Sequence, residues 1–275
     1  MARFGSTSLA FPEFRGATRR LVLWNLSAYF LLVVAQLLAP GLTARAIDWL
    51  SFTPGLFLHG YLLQPISYSL VHPPAAIIGT AFELLSLWFL AGFLENYHNS
   101  GWVISLYAVS VLGTAAAATA IYAAGLALGY VLQAGQMMGC FGGTFGMLAV
   151  IGVLYGDVQF MLFPLPIAIK ARYLVAVYAL IYFFMLLISD HRVFAFAMLG
   201  GGLAGIIYIR LAPRRGLSIG LSEQWYGLRN RYYRWKRRRA ARKFEVYMRS
   251  QGRTVRFDSK GRQIDEDPND RSRWN

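Results

Sequence analysis

The chain alternates between long apolar stretches and short polar breaks. Six stretches reach near-spanning length for a membrane helix, at residues 21–40, 73–95, 101–125, 139–156, 172–189 and 193–212. Only Asp190, His191 and Arg192 separate the last two, so the pattern predicts an antiparallel pair with a tight turn. The predicted fold class is an all-α membrane protein with six transmembrane helices.

Two connections between these stretches are long and contain apolar residues. Residues 41–72 interleave aromatic side chains with glycine and proline, and residues 157–170 hold an apolar run broken by Pro164 and Pro166. Aromatic-rich segments of this kind favour the membrane interface, where one side of the segment meets the headgroups. Both connections are therefore predicted to be interfacial loops.

Glycines recur at helical spacing in two of the apolar stretches. Spacings of three and four residues form a smooth helix face on which a second backbone can pack closely. We predict that the two stretches touch through these residues, which are Gly139, Gly142, Gly143, Gly146, Gly201 and Gly205.

Composition and charge support a membrane protein and indicate its orientation. The chain is 56% hydrophobic and only 15% charged, with mean hydropathy +0.43, which excludes an ordinary soluble domain. Lysine and arginine favour the cytoplasmic ends of membrane helices. With both termini cytoplasmic, every basic residue except Arg45 and Arg192 lies on that side. The first residues show no cleavable signal peptide, and the lack of a targeting segment favours a bacterial inner membrane.

The charge distribution also divides the chain into segments. Residues 1–20 form a basic cytoplasmic segment, 21–212 the membrane domain, 213–250 a basic aromatic helix, and 251–275 a polar flexible tail. Aromatic and basic residues on the third segment predict binding to anionic inner-leaflet lipids. Nucleic acid and a cytosolic protein are the other candidate partners, and nucleic acid is disfavoured. The lipid-binding residues are Trp225, Arg229, Arg231, Trp235, Arg237, Arg238 and Arg239.

Few polar residues in the apolar stretches are candidates for chemistry. Glu83 lies within a predicted span, where an ionisable group is costly and is a functional candidate by default. Cys140 is the single cysteine, and a lone cysteine in an apolar segment is usually a small core residue. The four histidines show no metal-ligand spacing with carboxylates or with Cys140. The sequence therefore predicts neither a metal site nor a cofactor.

Three stretches together resemble the rhomboid family of intramembrane serine proteases. They begin Leu62-Leu-Gln-Pro-Ile-Ser-Tyr, Leu85-Ser-Leu-Trp-Phe-Leu-Ala-Gly-Phe-Leu-Glu and Gly101-Trp-Val-Ile-Ser-Leu-Tyr, and the similarity covers about residues 60–211. The resemblance implies a six-helix rhomboid-like bundle, here with a basic cytoplasmic C-terminal helix.

The catalytic positions of that family are changed in this chain. The resemblance places Phe141 where active members carry the serine and Met198 where they carry the histidine. Phenylalanine has no proton to lose and a thioether is not a base. The oxyanion-binding positions read Gly79 and Glu83, and a Trp-Arg pair in the first loop reads Leu63-Gln64. We expect Phe141 and Met198 to plug the former active-site cavity.

These substitutions lead to two hypotheses about function. The first is a rhomboid pseudoprotease that binds transmembrane or membrane-associated client proteins without cleaving them. The second is a protease with a non-standard nucleophile, for which Thr144 and His191 would form a displaced dyad.

Overall fold

The computed structural model describes residues 12–130, 132–162 and 167–211, together with scattered positions between 229 and 264. The chain divides into two compact units, Met1–Ser218 and Ile219–Asn275, and each is described by itself. In the first unit the described residues form the helices α1 (Gly16–Leu38), α2 (Pro40–Leu50), α3 (Pro54–Leu58), α4 (Gln64–Ser67), α5 (Ile77–Glu95), α6 (Ser100–Ala127), α7 (Phe141–Leu154), α8 (Ala171–Ile188) and α9 (Arg192–Leu211).

Local sequence explains where several helices begin. Proline occupies the first or second position of α2, α3 and α4, where its missing N–H and fixed φ are tolerated. Helix α6 begins after Asn99, whose side-chain oxygen accepts the backbone N–H of Trp102 at 2.8 Å.

Five described helices are long and apolar enough to cross a membrane, namely α1, α5, α6, α8 and α9. The predicted span at 139–156 is shorter than expected, because α7 has 14 residues. Such a helix is about 21 Å long, against about 30 Å for the hydrocarbon core. Gly139 has φ +93 and lies outside the helix, so it is not part of the helical glycine face to which the sequence assigned it.

Close contacts at glycines fix the directions of the three central helices. A Cβ at Gly142 would meet the side chain of Thr114, and one at Gly146 would meet Ser110. The sequence numbers rise along α7 as they fall along α6, so the two helices are antiparallel.

Helix α9 packs against both of these helices. A Cβ at Gly201 would lie 3.2 Å from the carbonyl oxygen of Gly142, and one at Gly205 would lie 2.9 Å from that of Gly146. Helices α7 and α9 therefore run parallel, and the two glycine-rich stretches lie directly against each other. Short separations of this kind are how membrane helices gain packing energy in the absence of a strong hydrophobic driving force.

The helix ends gather at two opposite ends of this bundle. At one end, called here the basic end, Ala17 at the start of α1 donates to Glu95 at the end of α5, and Tyr208 near the end of α9 donates to the carbonyl of Trp102. The hairpin that joins α7 to α8 also lies there. The described basic residues at this end are Arg15, Arg19, Arg20, Lys170, Arg172 and Arg210.

The opposite end carries Arg45 and Arg192. Asp48 in α2 accepts a 2.6 Å hydrogen bond from Gln136, which follows α6. His191, in the turn between α8 and α9, lines a cavity with Gln133 and Met137. These contacts bring α2, the segment after α6 and the α8–α9 turn together.

The connection 41–72 is more buried than an interfacial loop. Phe52 and Tyr68 are fully enclosed, and Phe52 pairs with Met137 through backbone hydrogen bonds of 2.9 and 2.8 Å. The Tyr68 hydroxyl donates to the carbonyl of Val111 in α6 at 2.9 Å. Trp49 and Leu58 do remain exposed, so one side of the segment packs on the bundle and the other faces outward.

The connection 157–170 contains two antiparallel strands, β1 (Gln159–Leu162) and β2 (Ile167–Lys170). Asp157 binds Lys170 at 3.2 Å and Arg172 at 3.3 Å. The hydrogen bond from Lys170 and the charge of Arg172 lower the pKa of Asp157 below its usual value. Pro164 and Pro166 lie outside the described residues.

The second unit is described only at scattered positions. Arg229, Trp235 and Arg239 are helical and exposed. The Arg239 guanidinium lies 5.4 Å from the centre of the Trp235 ring, which is within the range of a cation–π contact. Trp225, Arg231, Arg237 and Arg238 lie outside the described residues. In the predicted flexible tail, strands β3 (Arg256–Phe257) and β4 (Gln263–Ile264) form an antiparallel pair.

Candidate functional site

The positions that the sequence assigned to a former catalytic pair differ in their surroundings. Met198 is buried in the bundle, with 1% of its surface exposed. Phe141 is the first residue of α7 and is 44% exposed, whereas residues 142–151 after it are all buried. The expectation that both side chains plug a cavity is therefore wrong for Phe141, because the first residue of a helix has fewer neighbours than the turns behind it.

The displaced dyad is not assembled in this structure. The Thr144 hydroxyl donates to the carbonyl of Phe141 at 2.9 Å within its own helix. His191 lies in the exposed turn between α8 and α9, where it lines a cavity of about 330 Å³ with Met185 and Phe194. No hydrogen bond joins Thr144 to His191 in the described part of the chain.

Gln64 has a structural role in the first connection. Its side-chain oxygen accepts the N–H of Thr53 at 3.2 Å, and its amide nitrogen lies 3.4 Å from the carbonyls of Asp48 and Trp49. The residue is fully buried, while neighbouring Leu63 is 74% exposed. Gln64 thus holds α2 and α3 in place, and its side chain is committed to backbone groups.

Glu83 lies beside the start of α7. It is 5% exposed and makes electrostatic contacts with the Cys140 thiol and with the backbone amides of Cys140 and Phe141. A Cβ at Gly139 would come within 2.5 and 2.8 Å of the two carboxylate oxygens. Glycine at this position is required both by this close approach and by its φ of +93.

His72 completes a buried cluster with Glu83 and Cys140. Its Nε2 lies 3.5 Å from Glu83 Oε2, and the Tyr29 ring packs nearly perpendicular to the imidazole ring. The ligand atoms of the three residues all lie within 4.8 Å of one another. Burial lowers the pKa of His72 below its ordinary value.

Sequence spacing did not indicate this cluster. Its members come from the segment before α5, from α5 itself and from the residue before α7, and only the fold brings them together. The histidines show no metal-ligand spacing along the sequence, and this did not reveal that the fold places His72 beside Glu83 and Cys140. Glu83 was the one member with a signal, because an acid inside an apolar run needs a partner.

Glu95, the last residue of α5, binds the start of α1. Its carboxylate accepts the N–H groups of Ala17 and Thr18 at 2.7 and 3.0 Å, the Thr18 hydroxyl at 2.7 Å and the Ser100 hydroxyl at 2.5 Å. A helix N-terminus leaves its first N–H groups without intrahelical partners and favours negative charge. Glu95 thus joins α1 to α5 and α6.

The side chains near the start of α7 do not form a serine–histidine pair. Phe141 and Met198 offer neither nucleophile nor base, Thr144 is bonded within its helix, and Cys140 is fully buried. The polar groups present are suited to holding the N-terminus of α7 and to ligand binding within the cluster.

Comparison with known proteins supports a multi-pass membrane protein. Residues 21–222 match the family described as eukaryotic integral membrane protein (DUF1751). The matched range includes all five candidate spanning helices except the first residues of α1. Because that family is eukaryotic, a bacterial inner membrane is doubtful. No curated protein matches the chain. The match covers well over half of the sequence, and the chain belongs to the DUF1751 family of eukaryotic integral membrane proteins.

Proposed function

We propose that this protein is a rhomboid-like membrane protein without protease activity, which binds a transmembrane helix of a client protein. The observation that carries the proposal is the exposed Phe141 at the start of the buried helix α7, at the position of the rhomboid nucleophile. An apolar side chain there provides a contact surface in place of a reacting group.

The helix directions support a six-segment bundle. Helix α7 runs antiparallel to α6 and parallel to α9. These are the directions expected if α7 and α8 each cross the membrane between α6 and α9. Its shortness places its first residues within the depth of the bilayer if Leu154 lies near the interface. Irregular backbone at that depth is tolerated where protein covers it, and Cys140 and Gly139 are indeed covered by Glu83 and the segment before α5.

The charge distribution supports an orientation with the basic end in the cytosol. Six of the described basic residues of the membrane unit lie at that end, and Arg45 and Arg192 lie at the other. Residues before α1 and after α9 are then cytosolic. Exposed Arg229, Trp235 and Arg239 in the second unit suit binding to anionic lipids of the cytosolic leaflet of a eukaryotic membrane.

The neighbours of α5 and α8 suggest where a client helix binds. Helix α5 packs mainly on α1 and α7, and α8 packs mainly on α9 and α7, with no extensive α5–α8 packing in the described residues. Among the described residues of α8 only Ala171 is buried, and its apolar side chains are largely uncovered by protein. A client helix between α5 and α8 would therefore face the start of α7.

Cleavage of a transmembrane rhomboid substrate by the purified protein tests the non-proteolytic part of the proposal. The native chain is compared with a Phe141→Ser, Met198→His double variant, and a serine-reactive phosphonate reports on any activation of the introduced serine hydroxyl. We expect no cleavage by the native chain, and reactivity in the double variant would support a rhomboid-like geometry. Cleavage by the native chain would favour the alternative, a protease with a non-standard nucleophile.

A further inference from the structure

The buried cluster of His72, Glu83 and Cys140 is not used by the proposed client binding. The three residues are 0%, 5% and 0% exposed and come from three separate parts of the fold. Burial of three groups that can carry charge is costly unless they are paired or bind a metal. Their arrangement therefore needs a physical reason of its own.

The orientation of the His72 ring leaves one nitrogen directed at the cluster. Nδ1 lies 3.3 Å from the carbonyl oxygen of Leu70, which can only accept, so Nδ1 carries the proton. Nε2 then presents a lone pair towards Glu83 Oε2 at 3.5 Å. Within the described residues, Nε2 of His72 and Oε1 of Glu83 have no hydrogen-bond partner. The Nε2 lone pair therefore faces one carboxylate oxygen, Oε2, and the other, Oε1, is without a partner, so a cation bound between the two residues would satisfy both side chains.

A second feature of metal sites is present at the same ring. A metal-binding histidine almost always donates its other N–H to a carbonyl or carboxylate, which fixes the tautomer and the ring orientation. The contact from Nδ1 to Leu70 has this form. The imidazole also packs against Tyr29, whose ring centre lies 6.3 Å from that of His72.

A catalytic arrangement of the same three residues does not fit the geometry. In a cysteine–histidine pair the imidazole takes the thiol proton and the carboxylate orients the far side of the ring. Here the far side, Nδ1, is bonded to Leu70, and Nε2 faces Glu83, which itself contacts the Cys140 thiol. The fully buried sulfur is also inaccessible to a substrate.

We propose that His72, Glu83 and Cys140 bind a Zn²⁺ ion. Nitrogen, oxygen and sulfur are the donors that zinc takes in proteins. Bonds of about 2.0–2.3 Å in a tetrahedral site put ligand atoms about 3.5 Å apart, a spacing that a small adjustment from the present maximum of 4.8 Å would reach. A thiolate and a carboxylate neutralise the two charges of the ion, which suits an apolar interior.

The zinc ion would join three elements at the start of α7. It links the segment before α5, helix α5 and the residue preceding α7, and it leaves one coordination position for a water molecule. Thiolate formation releases the Cys140 proton when the ion binds. Zinc binding at this cluster does not depend on client binding.

Metal analysis of the full chain tests the proposal, with the protein purified in detergent after any affinity tag has been removed. We expect about one zinc per chain, and in the Co²⁺-substituted protein a thiolate-to-cobalt charge-transfer band with the intense visible bands of a tetrahedral site. Cys140 is the single cysteine, so this band has only one source in the chain. Substoichiometric zinc together with no charge-transfer band would overturn the proposal.

Variants of the ligands add a second measurement. Cys140→Ser, His72→Gln and Glu83→Gln should each lower zinc affinity at least about tenfold, and Cys140→Ser should abolish the charge-transfer band. His98→Gln is the matched control, a partly buried histidine outside the cluster that should retain the zinc. Full zinc content in Cys140→Ser would mean adventitious binding and would also overturn the proposal. If a variant fails to fold, the cobalt spectrum of the native chain decides whether Cys140 is a metal ligand.

Discussion

The carboxylate of Glu95 accepts a hydrogen bond from the Thr18 hydroxyl, with 2.7 Å between the two oxygens. It also accepts two N–H groups at the start of α1, so the last residue of α5 acts as the cap of another helix. This contact fixes α1 against the bundle at the basic end.

Replacement of Glu95 by alanine should destabilise the docking of α1. Loss of a helix cap costs about 0.5–2 kcal/mol, and the N–H groups of Ala17 and Thr18 would lose their partner. Thermal unfolding in detergent should show a lower midpoint for Glu95→Ala than for the native chain. Glu13→Ala is the control, since Glu13 and Arg15 form an exposed pair of small energetic value. Equal midpoints for the two variants would contradict this role of Glu95.

Because α9 packs closely on α6 and α7, the addition of one methyl group at Gly201 should lower the stability of the bundle. A Cβ at Gly201 would overlap the Thr114 hydroxyl and crowd two backbone carbonyls. Gly201→Ala should therefore destabilise the bundle by about 1–3 kcal/mol. Gly41→Ala is the matched control, because no atom lies within 4 Å of a Cβ there. Resistance to unfolding by denaturing detergent measures both, and a neutral Gly201→Ala would show that the helices are less closely packed.

Protonation of His98 should weaken the basic end at mildly acidic pH. His98 Nε2 lies 3.1 Å from the Tyr155 hydroxyl, the ring stacks on Trp102 with 3.8 Å between the ring centres, and burial lowers the pKa of His98. The folded chain therefore binds this proton less readily than the unfolded chain. Its stabilising contribution is complete above about pH 6.5 and is lost as the pH falls below that value.

Unfolding midpoints measured from about pH 7.5 down to about pH 5, a range that brackets the ordinary histidine pKa, check this expectation. His98→Gln should reduce the slope of the unfolding midpoint against pH. His59→Gln, at an exposed position, should keep the slope of the native chain. An unchanged slope in His98→Gln would contradict the assignment.

The six-segment arrangement predicts that Asp157 and Asp190 lie on opposite sides of the membrane. Asp157→Cys and Asp190→Cys are labelled with an impermeant maleimide in sealed vesicles whose cytosolic face points outward. The native chain gives the background, since Cys140 is fully buried. Position 157 should react at once and position 190 only after permeabilisation. Immediate labelling at both positions would contradict a membrane crossing by α8.

The apolar pattern of the sequence predicted which segments are helical better than it predicted where each helix begins. It indicated the five long helices and the tight turn between α8 and α9, because long apolar runs have few other structures available in lipid. It overestimated α7, since apolarity does not reveal that Gly139 turns the chain with a positive φ and that the helix begins only at Phe141.

The candidate site was less accessible to sequence reasoning. Glu83 was singled out because acids are rare inside spans, but its neighbours His72 and Cys140 depend on how three elements meet. Glu95 gave no signal of its capping role, because its partners Ala17 and Thr18 belong to a different helix far away along the chain. Contacts between distant elements are set by packing, which local patterns do not record.

Photo-crosslinking from position 141 tests the central claim, that the exposed start of α7 contacts a client helix without cleaving it. A photoreactive residue replaces Phe141 in native membranes, with Leu38 and Leu211, which lie outside the proposed client site, as equally apolar positions that are 80% and 79% exposed. We predict a discrete adduct with an intact membrane protein at position 141 and only lipid adducts at the two controls. Lipid adducts alone at position 141, or an adduct with a cleaved client fragment, would contradict the claim.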